Sequence, residues 1–191
     1  MRFINLKDSV KQNIFTANEI KQFFSEETNA QISVQLSRFA KKGLITSIKR
    51  GLYCLDENRT DEFEIANKLY KPSYISSETA LNYYGIIPDI PAELTSTTLT
   101  TTKYFDNKWG KFRYLKIKRE LFWGFTQVKS VENNGFFLIA EPEKALLDYF
   151  YFRKIKRMDD LRLNLDPISK TKYQKYVNFY PEWIRKIKLY E

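Results

Sequence analysis

The sequence predicts an α+β fold, and three observations along the chain support this class. The first is a pattern of two helices followed by a β-hairpin between residues 15 and 55. The second is the threonine-rich, β-branched region 94–105, whose composition favours strands. The third is the apolar run 135–140, which has the length of a buried strand and precedes a helix. We therefore expect a small N-terminal domain, residues 1–57, and a mixed α/β C-terminal domain, residues 58–191.

The composition indicates a folded, basic protein. Hydrophobic residues make up 43% and aromatic residues 16% of the 191 positions, which is enough for a packed core. The formal net charge of +9 comes from 32 basic and 23 acidic side chains. Such a surplus favours polyanionic partners such as nucleic acid, although an ordinary solvated surface is the alternative explanation.

The sequence lacks residues and motifs that several classes of metal site and enzyme require. It has no histidine and one cysteine, Cys54, which excludes His/Cys zinc sites, disulfide scaffolds and histidine triads. It also has no glycine-rich phosphate loop and no G-x-S-x-G motif. We therefore expect no metal, no cofactor and no enzymatic activity, with a carboxylate-based hydrolase as the alternative.

The chain also has no apolar run long enough to span a membrane, and residues 1–8 are too short and too polar for a secretory signal. These features predict a cytoplasmic protein without a membrane partner.

The sequence predicts two helices before residue 25. We expect a short amphipathic helix within residues 1–13. Thr16 and Glu19 have the spacing of a capping box, which predicts a helix that begins at Ala17. That helix should bury Ile20, Phe23 and Phe24.

The next helix, predicted over residues 30–42, has two contrasting sides. At about 100° per residue, one arc is apolar and should face the core. Its members are Ile32, Leu36, Phe39, Ala40 and Gly43. The opposite arc consists of Gln31, Val34, Ser37, Arg38 and Lys41.

That opposite arc has the chemistry of a DNA-reading surface. An arginine can bind guanine through two hydrogen bonds, a glutamine can bind adenine in the same way, and an apolar side chain can contact the thymine methyl group. Lysine and serine can contact phosphates. An ordinary solvated helix face is the alternative explanation.

The charges around this helix favour the DNA interpretation. Residues 28–55 contain no acidic side chain, and a carboxylate would repel a DNA backbone. We expect Gly43 to end the helix, and the following strands, 44–48 and 52–55, to meet at a tight turn. The side chains predicted to hold DNA phosphates are Lys42, Lys49 and Arg50.

Periodicity gives the elements of the C-terminal domain. We expect helices over 61–70 and 74–88, a strand over 94–105, a helix that starts near Pro142, a helix over 170–177, and an apolar face from Trp183 to Leu189. A β-bulge between Tyr114 and Leu115 would place the apolar residues of 111–118 on one face. The basic region 103–119 could be a second nucleic-acid surface, but an exposed hairpin face is the favoured interpretation.

Three stretches resemble one family. They are AKKGLITSIKRGLYCL (residues 40–55), YISSETALNYYGIIP (74–88) and IAEPEKALLDYFYFRK (139–154). The first resembles the N-terminal winged helix-turn-helix of AbiEi-type antitoxins, regulators of type IV toxin–antitoxin and phage-defence loci. The other two resemble the C-terminal domain of the same family. The resemblance covers roughly residues 10–155.

The resemblance implies a function. It implies a sequence-specific repressor that binds operator DNA upstream of its own operon and counteracts a nucleotidyltransferase-like toxin. Because one recognition helix contacts few base pairs, two or more protomers on repeated half-sites are expected. The alternative is a protein-interaction antitoxin or adaptor whose winged helix does not bind DNA specifically.

Overall fold

The computed structural model describes residues 1–158, 161–187 and 189. The described part of the chain has eight α-helices and two β-sheets, which confirms the α+β class. The chain divides into two compact units. The first consists of residues 1–69 and 129–136, and the second of the described residues in 70–128 and 137–191. The first unit thus extends beyond the domain 1–57 that the sequence predicted.

The first unit combines four helices with a small antiparallel sheet. Its helices are α1 (Phe3–Ser9), α2 (Ala17–Lys21), α3 (Asn29–Lys41) and α4 (Glu62–Leu69). Its strands are β1 (Ile14–Thr16), β2 (Thr46–Lys49) and β3 (Leu52–Cys54), in the order β1-β3-β2. The helix predicted within residues 1–13 is shorter than expected. Strand β1 was not predicted, because its pairing with β3 is set by residues far along the chain.

Capping side chains fix the start of α2. The Thr16 hydroxyl accepts from the Glu19 amide at 3.2 Å, and the Thr16 amide donates to the Glu19 carboxylate at 2.7 Å. This confirms the predicted capping box.

Helix α2 ends at Lys21, so Phe23 lies beyond it and is 49% exposed. The prediction that Phe23 is buried is therefore wrong, whereas Phe24 packs against the core.

One apolar cluster forms the core of the first unit. Its buried members are Leu6, Phe15, Ile20, Ile32, Leu36, Phe39, Ile45 and Tyr53. The predicted inward arc of α3 is thus confirmed at three positions, and Ala40 packs half-buried beside them. Gly43 is exposed because it lies after the helix. Burying a side chain such as Leu36 contributes about 1.5–3 kcal/mol, so this arc holds the orientation of α3.

The end of α3 is a Schellman motif centred on Gly43. Its φ angle is +69°, and its amide donates to the Ala40 carbonyl at 3.0 Å. The Leu44 amide donates to the Phe39 carbonyl at 3.0 Å. These bonds satisfy the last carbonyls of the helix and confirm that Gly43 ends it.

We expect Gly43→Ala to destabilise the protein by about 1–2 kcal/mol, because a left-handed φ is unfavourable for alanine. A Cβ at this position would meet no atom within 4 Å, so the effect is conformational and not steric. Urea unfolding would measure it, with Ser33→Ala on the exposed side of α3 as the control. Equal unfolding midpoints for Gly43→Ala and the control would contradict the prediction.

Side-chain hydrogen bonds extend the first unit beyond residue 57. The Asn13 carboxamide donates to the carbonyls of Asp56 and Arg59, both at 2.8 Å, and accepts from the Asp56 amide at 2.9 Å. The Asn133 side chain donates to the same Arg59 carbonyl at 2.8 Å. Lys68 on α4 donates to the Ile14 carbonyl. These bonds tie residues 58–69 and 129–136 to the small sheet.

The second unit is built on a six-stranded mixed sheet. Its strands are β4 (Ser73–Ile75), β5 (Leu94–Thr98), β6 (Lys103–Asn107), β7 (Gly110–Lys116), β8 (Phe125–Lys129) and β9 (Phe136–Ala140). Their order is β6-β7-β5-β4-β9-β8. Its helices are α5 (Ser77–Tyr83), α6 (Pro142–Arg153), α7 (Lys170–Val177) and α8 (Glu182–Arg185). Helix α5 packs against α6.

The sheet departs from the predictions in three places. The region 74–88 begins with β4 before the helix, and the strand predicted over 94–105 is split into β5 and β6. The predicted bulge after Tyr114 is absent, because β7 pairs in continuous register with both β5 and β6. Leu115 is half-buried on the opposite face, and Ile117 is buried beyond the end of the strand.

The predicted C-terminal helices are largely confirmed. Pro142 occupies the first turn of α6, and α7 covers residues 170–177 as expected. On the predicted apolar face, Ile184, Ile187 and Leu189 are buried, and Trp183 is half-buried. Within the described ranges, no helix is both long enough and apolar enough to cross a membrane.

Candidate nucleic-acid interface

The outward side of α3 presents the predicted base-contacting residues together. All five are exposed, and Val34 is 52% exposed. They are Gln31, Val34, Ser37, Arg38 and Lys41. Because Ile32, Leu36 and Phe39 anchor the opposite side in the core, this arrangement follows from helical geometry. The described structure thus presents one continuous exposed stripe along α3, which is polar except at Val34.

The cations at this surface are not neutralised within the chain. Arg38, Lys41, Lys42 and Arg50 are exposed. In the described ranges none of them forms an ion pair with a carboxylate. By contrast, the exposed Arg113 and Arg153 of the second unit are paired with Glu93 and Glu78. We name the first group, Arg38, Lys41, Lys42 and Arg50, the unpaired cation surface.

Gln31 has a structural role that the base-contact prediction did not include. Its side-chain oxygen accepts from the Thr28 amide at 2.7 Å, and its own amide donates to the Thr28 hydroxyl at 3.2 Å. This is a second capping box, at the start of α3. Reading adenine through two hydrogen bonds requires both the oxygen and the nitrogen of the carboxamide. Gln31 therefore caps the start of α3. Its carboxamide oxygen has a second lone pair, so the predicted base contact stays a prediction.

Lys49 is not a free side chain at the hairpin tip. Its ammonium donates to the carbonyl of Leu69, the last residue of α4. Partial burial lowers the pKa of Lys49. In the described structure the Lys49 ammonium is thus bound to a backbone carbonyl at the negative end of a helix, and its predicted phosphate contact stays a prediction.

The tip of the hairpin is formed by Arg50 and Gly51. Ser47 pairs with Tyr53 and Lys49 pairs with Leu52, so Ile48 is the extra residue of a β-bulge. Ile48 is buried, whereas Arg50 is exposed in the turn. Gly51 has a φ of +84°, which the tight connection requires. Arg50 is consequently a cation that the hairpin presents to solvent.

A second polar site, in the second unit, was not predicted. Lys144 and Asp148 lie one turn apart on α6, are both fully buried and form an ion pair. Ser76 and Tyr74 donate to the Asp148 carboxylate at 2.7 and 3.0 Å. Tyr180 donates to it at 2.7 Å. A sequence signal existed, because Lys144 and Asp148, at i and i+4, flank the apolar residues 145–147 of the predicted helix.

Burial controls the ionisation of this second site. Desolvation lowers the pKa of Lys144, while the Asp148 carboxylate acts in the opposite direction. Desolvation, reinforced by Asp148, raises the pKa of both Tyr74 and Tyr180 well above its usual range. The two phenols are therefore hydrogen-bond donors to Asp148 and not bases.

Glu141 and Glu143, at the start of α6, are engaged by the C-terminal residues. Glu143 accepts from the Ser169 amide at 2.7 Å. Glu141 accepts from the Tyr176 hydroxyl at 2.5 Å and pairs with Lys172 at 2.9 Å. These carboxylates therefore have specific partners in addition to their favourable position at the positive end of the α6 dipole.

Comparison with known proteins gives no family assignment. The chain matches no protein-family model, and it matches no curated protein sequence. The structure by itself defines an α+β protein of two units. Its first unit has an exposed, unpaired cation surface on α3 and the adjoining hairpin.

Proposed function

We propose that the first unit is a winged helix-turn-helix that binds double-stranded DNA, and that the protein is a sequence-specific transcriptional repressor. The observation that carries the proposal is the unpaired cation surface on α3 and the hairpin. In this proposal α2 and α3 form the helix-turn-helix, and β2 and β3 form the wing. The absence of acidic residues from 28–55 supports it, because no carboxylate of that segment opposes the phosphates.

The side chains divide into two roles. Arg38 reads a guanine, with Ser37 and Lys41 beside it at the groove. Val34 contacts a thymine methyl group, which explains an exposed apolar residue in a polar stripe. Lys42, after the helix, and Arg50, at the hairpin tip, hold phosphates on either side of the groove.

The wider biological role rests on the resemblance to AbiEi-type antitoxins. We propose that the DNA site lies upstream of the operon that encodes this chain, and that two or more protomers bind repeated half-sites. In this proposal the second unit counteracts a nucleotidyltransferase-like toxin from the same operon. The identity of the neighbouring reading frame tests this part, and a neighbour unrelated to nucleotidyltransferases would argue against it.

A protein-interaction antitoxin or adaptor is the second candidate. The exposed apolar side chains of the first unit favour it, since Phe23 is 49% and Val34 is 52% exposed. Such side chains suit a protein interface as well as a DNA groove. In this case binding to DNA would be weak and independent of its sequence.

Salt dependence of DNA binding separates the two candidates. A duplex from the upstream region would be titrated with the full chain at several salt concentrations. The repressor proposal expects the logarithm of affinity to fall with the logarithm of salt by about 0.9 per phosphate contact. A scrambled duplex of equal length should bind more weakly. Absent binding, or an affinity that is insensitive to salt and sequence, would contradict the proposal.

The hairpin provides a more local prediction. We expect Arg50→Ala to weaken binding to all sequences alike and to reduce the salt slope by about 1, because it removes one phosphate contact. Lys49→Ala is the neighbouring control, and it should have the smaller effect, because its ammonium is bound to the Leu69 carbonyl. Titrations of both variants on specific and scrambled duplexes provide the measurement. A larger effect from Lys49→Ala would show that the hairpin docks differently.

A further inference from the structure

The first unit contains a cleft of about 850 Å³ beside the C-terminal end of α3. Its lining comes from Phe3, Lys7 and Lys11 in and after α1, from the link 43–46 between α3 and β2, and from the segment 55–59 after β3. Small-molecule sites have volumes of about 300–1,000 Å³, so the cleft is large enough for an organic ligand.

The walls of this cleft are held by contacts within the unit. Asn13 and Asn133 are 8% and 7% exposed, and both side chains donate to the Arg59 carbonyl at 2.8 Å. The ring of Phe3 packs edge-on to the ring of Phe39, with 5.6 Å between centroids. Because these contacts fix the segment after β3 and the start of α1, a ligand would have few side chains to order, which lowers the cost of binding.

The cleft has uncompensated positive charge. Lys7, Lys11 and Arg59 are exposed, and none of them forms an ion pair with a carboxylate within the described ranges. The acids that line the cleft, Asp56 and Glu57, each accept a hydrogen bond from another group of the lining. An anionic ligand would therefore bind cations that the chain itself leaves without a counter-charge.

Part of the cleft surface is apolar. Leu44, in the link after α3, is 39% exposed. Phe3, Val10 and Leu55 also line the cleft and are half-buried against the core of the unit. Covering apolar surface is favourable by about 25 cal/mol per Å². A ligand with an apolar body would thus gain free energy that an inorganic ion would not.

We propose that this cleft binds a small organic anion, with its acidic group among Lys7, Lys11 and Arg59 and its apolar body against Leu44. Small-molecule sites combine an apolar lining with a few polar groups that fix the orientation of the ligand, and this cleft has both. The bound molecule contacts the link 43–46, which joins α3 to the hairpin. The inference does not depend on DNA binding.

A fluorescent organic anion provides the first test. The full chain would be titrated with anilinonaphthalene sulfonate and with the uncharged dye that lacks the sulfonate. We expect saturable binding of the anion and about tenfold weaker binding of the neutral dye, because hydrogen bonds to charged groups are the stronger ones. Inorganic phosphate at the same concentration should not displace the anion. Equal affinity of the two dyes, or displacement by inorganic phosphate, would overturn the proposal.

Charge variants show whether the dye binds at this cleft. Lys7→Ala/Lys11→Ala should weaken its binding about fivefold, because two exposed charge interactions are lost. Lys116→Ala/Lys118→Ala removes the same charge from exposed positions in the second unit and should leave the affinity unchanged. Equal losses from the two double variants would mean that only net charge matters, and the proposed site would be wrong.

The apolar contact is tested at Leu44. Leu44→Asn should weaken binding of the sulfonate dye about fivefold, because the dye then covers a polar side chain. Ile90→Asn, at an 87% exposed position of the second unit, is the matched control and should have no effect. Urea unfolding would verify that both variants are folded. An equal effect of the two substitutions would contradict the assigned apolar contact.

Amide chemical shifts of the unmodified chain locate the dye independently of any variant. With the sulfonate dye bound, the largest changes should fall in the segments 43–46 and 55–59, which line the cleft. Largest changes in any other part of the chain would exclude this cleft as the site. The measurement contains no DNA, so its outcome is separate from that of the repressor proposal.

Discussion

Arg38→Ala is expected to reduce the affinity for the operator by about 1–3 kcal/mol and to relax the base preference at one position. The guanidinium is exposed on the outward side of α3 and forms no ion pair with a carboxylate among the described residues. It is therefore available to bind a base, and the alanine variant loses that contact. Titration against duplexes with each of the four bases at every operator position would measure both effects. The lost preference should be for guanine.

Arg162→Ala provides the matched control for this experiment. It removes the same charge from an exposed position in the second unit and leaves α3 intact. We expect only a small, sequence-independent change in affinity from it. If Arg38→Ala weakened binding to all duplexes equally, Arg38 would hold a phosphate and the proposed orientation of α3 in the groove would be wrong.

Asp148→Leu is expected to destabilise the protein by about 3–5 kcal/mol, which is the largest stability effect we predict. The substitution leaves the fully buried Lys144 without its counter-charge. It also removes the acceptor for Tyr74, Ser76 and Tyr180. Urea unfolding would measure the loss.

The double variant Lys144→Met/Asp148→Leu distinguishes charge from packing. Replacing both partners of a buried ion pair by apolar side chains of similar volume is often neutral or stabilising. We therefore expect the double variant to recover most of the stability that Asp148→Leu loses. A double variant as unstable as the single one would mean that the hydroxyl network around Asp148, and not the unpaired ammonium, determines the loss.

The elements that could be predicted from sequence are those that local interactions determine. The capping box of Thr16 and Glu19, the inward arc of α3 and the Gly43 terminus are set by residues within a few positions of each other. Strands β1 and β4 have three residues each and form only through partners distant in sequence. The predicted bulge after Tyr114 failed because it assumed one buried face for residues that the sheet distributes over two.

The candidate interface was predictable to a similar extent. Helical periodicity predicts that Val34, Ser37 and Arg38 are exposed on one side. The capping role of Gln31 could also have been found, because Thr28 and Gln31 have the spacing of a capping box. The engagement of Lys49 could not, because its partner is a backbone carbonyl twenty residues away that no sequence pattern reports.

Asn13 holds the two ends of segment 13–56 together. Its side chain binds the Asp56 backbone at both the amide and the carbonyl, and the Asn13 carbonyl accepts from the Leu55 amide at 3.0 Å. The entry and exit of a segment that holds α2, α3 and the hairpin therefore lie side by side. Adjacent ends are what domain insertion requires, because a host loop can then receive the segment without being forced apart. Because the two ends are adjacent, they could also be linked directly to each other. New chain termini could then be opened at the exposed Arg50 turn.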